Sequence, residues 1–252
     1  MWSPFLIALG LLTRLPLPWR RRAPEPWESG RSVLFYPVVG VLLGGMLAGL
    51  AGMFAAVGLE PGVGAALLLI AWVWLTGGMH LEGLSDSADG WIGGLGDRER
   101  ALAILKDPYC GPFGVMALVL LLLLKWNLLR LIGQTGAWEP LLVAPVLGRV
   151  GIVGLFLTLP YARPGGMGEV AARNVPRGPA WMVGLGGVGL ALGLGGWWSV
   201  LAWAGGWWMV RRGWLSRFGG VTGDAAGAAC ELLEAVVLMV WLLESGGATT
   251  QS

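Results

Sequence analysis

Charge is what this sequence has least of. Lys and Arg number 17 and Asp and Glu 15 over 252 residues, so 13% of positions are charged. A soluble domain carries about 25%, and a water-soluble globular fold is thereby excluded. Cysteine is almost as scarce. Cys110 and Cys230 form neither a C-x-x-C pair nor a ligand-spaced set, which argues against a zinc or redox centre. The net charge is only +2 and the basic residues are scattered, so no nucleic-acid partner is expected. The opening MWSPFLIALGLLTRLPLP has no basic n-region and no A-x-A site, and prolines interrupt its end. It does not read as a cleavable signal peptide.

Apolar sequence is what remains: 56% of residues are hydrophobic and the mean hydropathy is +0.69. Several runs approach or exceed the roughly 20 residues that a bilayer-spanning helix needs. The 44 glycines and 16 tryptophans suit close helix approach and the membrane interface, and need no functional explanation. The fold class expected is all-α, a polytopic membrane bundle surrounded by lipid. Seven spans are expected, at 33–57, 62–79, 113–132, 138–159, 180–196, 197–210 and 226–243. Residues 1–18 add an eighth if they cross; otherwise they lie in the interface or re-enter, with Arg14 snorkelling. No repeat or low-complexity linker divides the chain, so 1–252 is read as one domain.

Polar loops are expected at 19–32, 80–112, 160–179 and 211–225. They hold Arg20, Arg21, Arg22 and Arg31; Arg98, Arg100 and Lys106; Arg163, Arg173 and Arg177; and Arg211, Arg212 and Arg217, which is 13 of the 17 basic residues. Seven spans put all four loops on one side. By the positive-inside rule that side is the cytoplasm, for a multi-pass protein of the bacterial cytoplasmic membrane (the cell inner membrane).

Two acidic groups stand out, one in the second loop and one running from the fourth loop into the last expected span. In GGMHLEGLSDSADGWIGG, residues 77–94, Glu82, Asp86 and Asp89 stand at i, i+4 and i+7. On a helix they share one face, within about 60°. Three carboxylates on one stripe repel unless a cation neutralises them, and a hard divalent ion, Mg²⁺ or Mn²⁺, answers that need. A solvated acidic face is the bland alternative, but the surrounding glycines and the lack of alternating basic partners favour metal. His80 would point to the other side of such a helix. In RFGGVTGDAAGAACELLE, residues 217–234, Asp224 and Glu231 are seven apart, again one face. Acids in a membrane helix usually face a functional interior, although a helix N-terminus also favours them.

Around the acids stand features suited to phosphate. GGVTGD, residues 219–224, precedes the last helix and can offer backbone N–H groups to an anion. KDPYCGPFG brings Lys106, YARPGGMG brings Arg163, and Arg149 lies within the fourth span. Cations, carboxylates and backbone donors at one membrane face are the set that metal-bridged phosphoryl transfer needs.

These segments together resemble the cobalamin synthase family, the adenosylcobinamide-GDP ribazoletransferases. FLIALGLLTRLPLP resembles the family's F-L-T-R-L-P-x-P run, and GGMHLEGLSDSADGWIGG its G-G-L-H-L-D-G-L-A-D-T-x-D-G signature. KDPYCGPFGV, YARPGGMG and RFGGVTGDAAGAACELLE match three further segments in order. Glu82 stands where the family usually has Asp, and Cys110 where a basic or polar residue is more usual. The resemblance implies a Mg²⁺-dependent phosphotransferase that joins adenosylcobinamide-GDP to α-ribazole or its 5′-phosphate. The products are adenosylcobalamin or its 5′-phosphate, and GMP. It implies Asp86 and Asp89 as principal metal ligands, with Glu82 either a third ligand or a support behind them. Asp224 is a candidate for a second metal or for taking the hydroxyl proton, with Glu231 completing that site. Lys106, Arg149 and Arg163 would hold diphosphate oxygens, and His80 would accept a proton or orient its loop. Gly219, Gly220, Thr222 and Gly223 would shape the nucleotide-binding turn. Association with itself or with other cobalamin-synthesis enzymes is open at this point.

Two rival readings exist. A CDP-alcohol phosphotransferase of lipid synthesis shares the fragment Asp86-x-x-Asp89-Gly90 but not the remainder of its pattern. A transporter using intramembrane acids would spread them through the bilayer, whereas most here lie in loops on one side.

Overall fold

The structure, a computed structural model, is described for residues 4–17, 23–166 and 168–249. Arg20, Arg21 and Arg22, counted in the charge pattern, lie outside the described residues. Apart from one isolated bridge between Tyr161 and Val221, the described chain is helical: α1 Pro4–Leu12, α2 Pro26–Ser32, α3 Tyr36–Ala56, α4 Pro61–Thr76, α5 Met79–Gly93, α6 Arg98–Ile104, α7 Pro112–Thr135, α8 Glu139–Thr158, α9 Glu169–Arg173, α10 Arg177–Gly193, α11 Trp197–Phe218 and α12 Gly223–Thr249. Proline opens α2, α4 and α7, where its missing N–H costs nothing.

All seven expected segments are helices, but fewer of them qualify as spans. Four are long and apolar enough: Pro26–Ala56, which joins α2 to α3 through a 3₁₀ turn, then α7, α8 and Gly223–Glu244 of α12. A fifth exists only if α4 and α5 count as one broken span, for their axes differ by 88°. The bend is at Gly77 and Gly78, with φ of 68° and 69°, a conformation that costs glycine alone nothing. α10 has 17 residues, and α11 runs through Arg211, Arg212 and Arg217 where a loop is expected. α1, at nine residues, is too short to cross. Instead the backbone N–H of Arg14 donates to the Leu75 carbonyl at 2.7 Å, tying the N-terminal segment to the end of α4.

α8 is the buried axis of the bundle, and α3 and α12 approach it through small residues. A Cβ at Gly40 would stand 2.7 Å from the Pro145 carbonyl oxygen, and one at Gly148 2.8 Å from Cys230 Sγ. Such contacts let helix backbones close on one another where lipid offers no hydrophobic drive. The polar stretches converge on one end of this bundle. Gly30 lies against Asn174, and Gly219 against the Arg98 guanidinium. Arg163 reaches the Leu105 carbonyl at 3.1 Å, and Tyr161 pairs with Val221.

Candidate active site

Glycine decides how the site assembles. A Cβ at Gly83 would stand 2.5 Å from the Asp224 carbonyl oxygen, and one at Gly227 3.1 Å from the His80 Cα. α5 can therefore lie directly on the start of α12, running antiparallel to it. That contact turns Glu82 and Asp86 of α5 and Asp224 of α12 into one cavity of about 280 Å³. Lys106 and Asp107 enter from the turn before α7, and Arg163, Gly166 and Gly168 from the segment after α8. Gly223, His80, Tyr36 and Tyr161 add further polar lining. His80, expected on the far side of its helix, instead sits at the inner end of the cavity against Gly227.

Arg163 is the tie across this space. Its Nη1 donates to Asp224 Oδ2 at 2.7 Å as well as to the Leu105 carbonyl, so one guanidinium joins three segments. It does not neutralise the carboxylates around it. Asp86, on the polar limb of the bent pair and outside the four spans, has its pKa raised to about 6. Burial is the largest cause, followed by Asp224, Glu82 and Asp89, with Arg163 opposing. Carboxylates that lift one another in this way want a cation. Among the described residues no three His, Cys, Asp or Glu side chains form a ready ligand cage. Mg²⁺ does not require one: it usually keeps several waters and takes one or two carboxylates plus substrate phosphates. Glu82, Asp86 and Asp224 fit that partial kind of site.

Other expected site residues have different work. Asp89 spends both carboxylate oxygens on the start of α7, accepting from Gly111 N–H at 2.8 Å and Gly114 N–H at 2.9 Å. A Cβ at Gly111 or Gly114 would run into that carboxylate. It fixes the turn that carries Lys106 and does not line the cavity. Cys110, beside it, faces Ser85 Oγ at 3.0 Å. Thr222 is fully buried and its hydroxyl accepts from Ala225 N–H at 3.0 Å, a cap on α12. Gly219 takes φ 70° and Gly220 φ 156°, and a side chain on Gly220 would overlap the Pro160 carbonyl. They shape the turn into α12, but of that run only Gly223 and Asp224 line the cavity.

Arg149 and Glu231 are the clearest corrections. Neither reaches the cavity. Arg149 is fully buried and pairs with Glu234. Glu231 pairs with Lys125 at 2.6 Å, and Lys125 pairs with Glu234 at 2.6 Å as well. Lys125 also lies 4.5 Å from the centre of the Trp72 ring. Two cations and two anions thus neutralise one another inside the bundle, which is what burial of charge demands. Sequence reasoning missed Lys125 and Glu234 as partners. The signal was a lone lysine in the leucine run of α7, since ionisable residues in a span ask for a partner. Tyr161 was also missed: its hydroxyl lies in the cavity wall beside the backbone of Gly168 and Gly223.

Comparison with known proteins gives the family. Residues 4–242 match the family model described as Cobalamin-5-phosphate synthase. The chain is 49% identical over 239 residues to the adenosylcobinamide-GDP ribazoletransferase of Pseudomonas putida (strain W619), covering 94% of this chain and 97% of that protein. It is 49% identical over 241 residues to the enzyme of that name from Pseudomonas paraeruginosa (strain DSM 24068 / PA7), with the same coverage. To that from Pseudomonas syringae pv. syringae (strain B728a) it is 46% identical over 243 residues, covering 95% and 99%. No solved structure matches.

Proposed function

Given that this chain belongs to the cobalamin-5-phosphate synthase family, we propose that it is the transferase joining adenosylcobinamide-GDP to α-ribazole or its 5′-phosphate, with release of GMP. The lipid phosphotransferase and transporter readings fall away with that membership. The observation that carries the site assignment is the single cavity where Glu82, Asp86 and Asp224 face Lys106 and Arg163. The cavity would open toward the cytoplasm, where the polar stretches carry most of the basic residues.

Lys106 and Arg163 would hold the non-bridging oxygens of the diphosphate. The ribose 3′-hydroxyl of the acceptor attacks the phosphorus on the cobinamide arm. A new O–P bond forms, the bond from that phosphorus to the bridging oxygen breaks, and GMP leaves with the bridging oxygen. The hydroxyl proton passes to a carboxylate, with Asp224 in place for it and His80 as the other acceptor. Glu82, Asp86 and Asp224 would hold Mg²⁺, which when bound supplies neutralisation of the charge on the transferred phosphoryl group. Asp89 orients the Lys106 turn through Gly111 and Gly114.

Purified protein in detergent, given adenosylcobinamide-GDP, α-ribazole 5′-phosphate and Mg²⁺, is expected to release one GMP per corrinoid product. Well-folded protein that releases none would overturn the reading. The metal requirement should depend on pH in one direction. The raised pKa of Asp86 means that it takes up a proton as pH falls through about 6, and that proton competes with the ion. The Mg²⁺ concentration giving half-maximal rate should be flat above pH 7. Below pH 6 it should rise, toward about tenfold per pH unit. A half-maximal concentration that stays constant from pH 5 to 8 counts against Asp86 as a ligand.

A further inference from the structure

The cavity changes character from one end to the other. Gly83 lies against Asp224 and His80 against Gly227, so three residues' travel along each antiparallel helix leads inward. Around the outer part stand Glu82, Asp86, Lys106, Arg163 and Asp224; Glu82 is exposed and Asp86 and Asp224 are half-buried. The rest of the wall is largely apolar, from Leu11 and Leu12 of α1, Tyr36 of α3, Met79 of α5, and Ile152 and Phe156 of α8, with Phe156 reaching back to Gly168. Leu12, Tyr36, Ile152 and Phe156 are buried, and the last two sit one helical turn apart on one face of α8. Two polar side chains reach this end: Tyr36, whose hydroxyl lies toward Ser32, and His80, whose Nδ1 is buried without a partner.

About 280 Å³ is at the small end of the roughly 300–1,000 Å³ of ligand pockets. It admits a flat bicyclic heterocycle with its ribose. It does not admit a corrin ring with its peripheral amides. We propose that the apolar inner end takes the heterocyclic base of the riboside acceptor. The ribose then lies among the carboxylates and cations of the mouth, while the corrinoid stays outside and only its diphosphate enters. This rests on the transferase reading above, and adds which substrate is buried and which residues select its base. A benzimidazole presents apolar carbon to Leu12, Ile152 and Phe156 and a single free ring nitrogen, which the unpartnered His80 can meet.

The test is equilibrium binding of α-ribazole to the full chain in detergent, beside the KM for adenosylcobinamide-GDP, in wild type, Ile152→Trp and Leu11→Trp. The half-buried Leu11 site allows a bulky side chain even if Ile152→Trp disturbs folding, and an unchanged thermal midpoint identifies the variants to compare. Riboside affinity is expected to fall about tenfold or more in the variants, with the KM for the corrinoid donor unchanged. GMP formation with riboside affinity indifferent to both substitutions would overturn the proposal and leave the transferase reading standing. A rise in donor KM alone would place the corrinoid in the cavity and overturn it too. Riboside binding that responds as expected, without any GMP formed, would sink the transferase reading and support the apolar subsite.

Discussion

Asp86→Asn is expected to lower kcat by about 10²–10³-fold, the loss typical of removing one preorganised electrostatic group from a transition state. The side chain keeps its shape, so folding should survive. What disappears is a negative charge that the cavity raises toward neutrality in the absence of a cation. Asp89→Asn, three residues on, should behave differently. Its carboxylate accepts two backbone N–H groups at the start of α7, and an amide would present N–H₂ to one of them. Loss of thermal stability should accompany any loss of rate there, whereas in Asp86→Asn the rate falls alone. The decisive measurement is GMP release at saturating Mg²⁺ beside a melting curve for each variant. Asp86→Asn turning over at the wild-type rate would remove the carboxylate from the chemistry.

Lys125→Met should be among the most destabilising substitutions available, at about 3–5 kcal/mol. Lys125 is 2% exposed and holds both Glu231 and Glu234 at 2.6 Å. Arg149, the other cation of the group, engages Glu234, so deletion of the lysine leaves Glu231 as a buried anion with no partner among the described groups. The cost comes from the charge left behind rather than from the pair lost. That argument makes a second variant informative. Lys125→Met combined with Glu231→Gln removes one charge of each sign, and it should recover a large part of the lost stability. Melting in detergent by circular dichroism checks both. A double variant no more stable than the single one would show that packing of the lysine against Trp72, and not charge balance, governs this site.

Particular residues show where sequence reading reaches its end. The helicity of the acidic stripe was legible from the spacing of Glu82 and Asp86, and both do face one cavity. Asp89 shares the stripe, but the tight approach of Gly111 and Gly114 claims its oxygens, and nothing in a one-dimensional pattern shows that approach. Glu231 lies seven residues beyond Asp224 and was placed in its site for that reason. The intervening two turns carry it about 10 Å along the helix, away from the mouth and toward Lys125. The course of the second expected span differs from a straight crossing for a related reason. Hydropathy sees α4 as a crossing helix, but two left-handed glycines divert the chain by 88° into α5, and that diversion aims the acids at α12.

The sequence by itself determined what depends on composition and on local order. It set a helical membrane protein, the acids and cations that carry charge in a chain nearly without it, and the ordered motifs that mark the family. Those properties follow from transfer energies and helical periodicity, which act residue by residue. Only the tertiary structure decided which charges meet. Asp86, Asp224 and Arg163 share a cavity because glycines let α5 and α12 touch, while Arg149, Lys125, Glu231 and Glu234 neutralise one another within the bundle. A buried charge must find its partner in space, and the distance along the chain from Lys125 to Glu234, 109 residues, carries no record of the 2.6 Å between them.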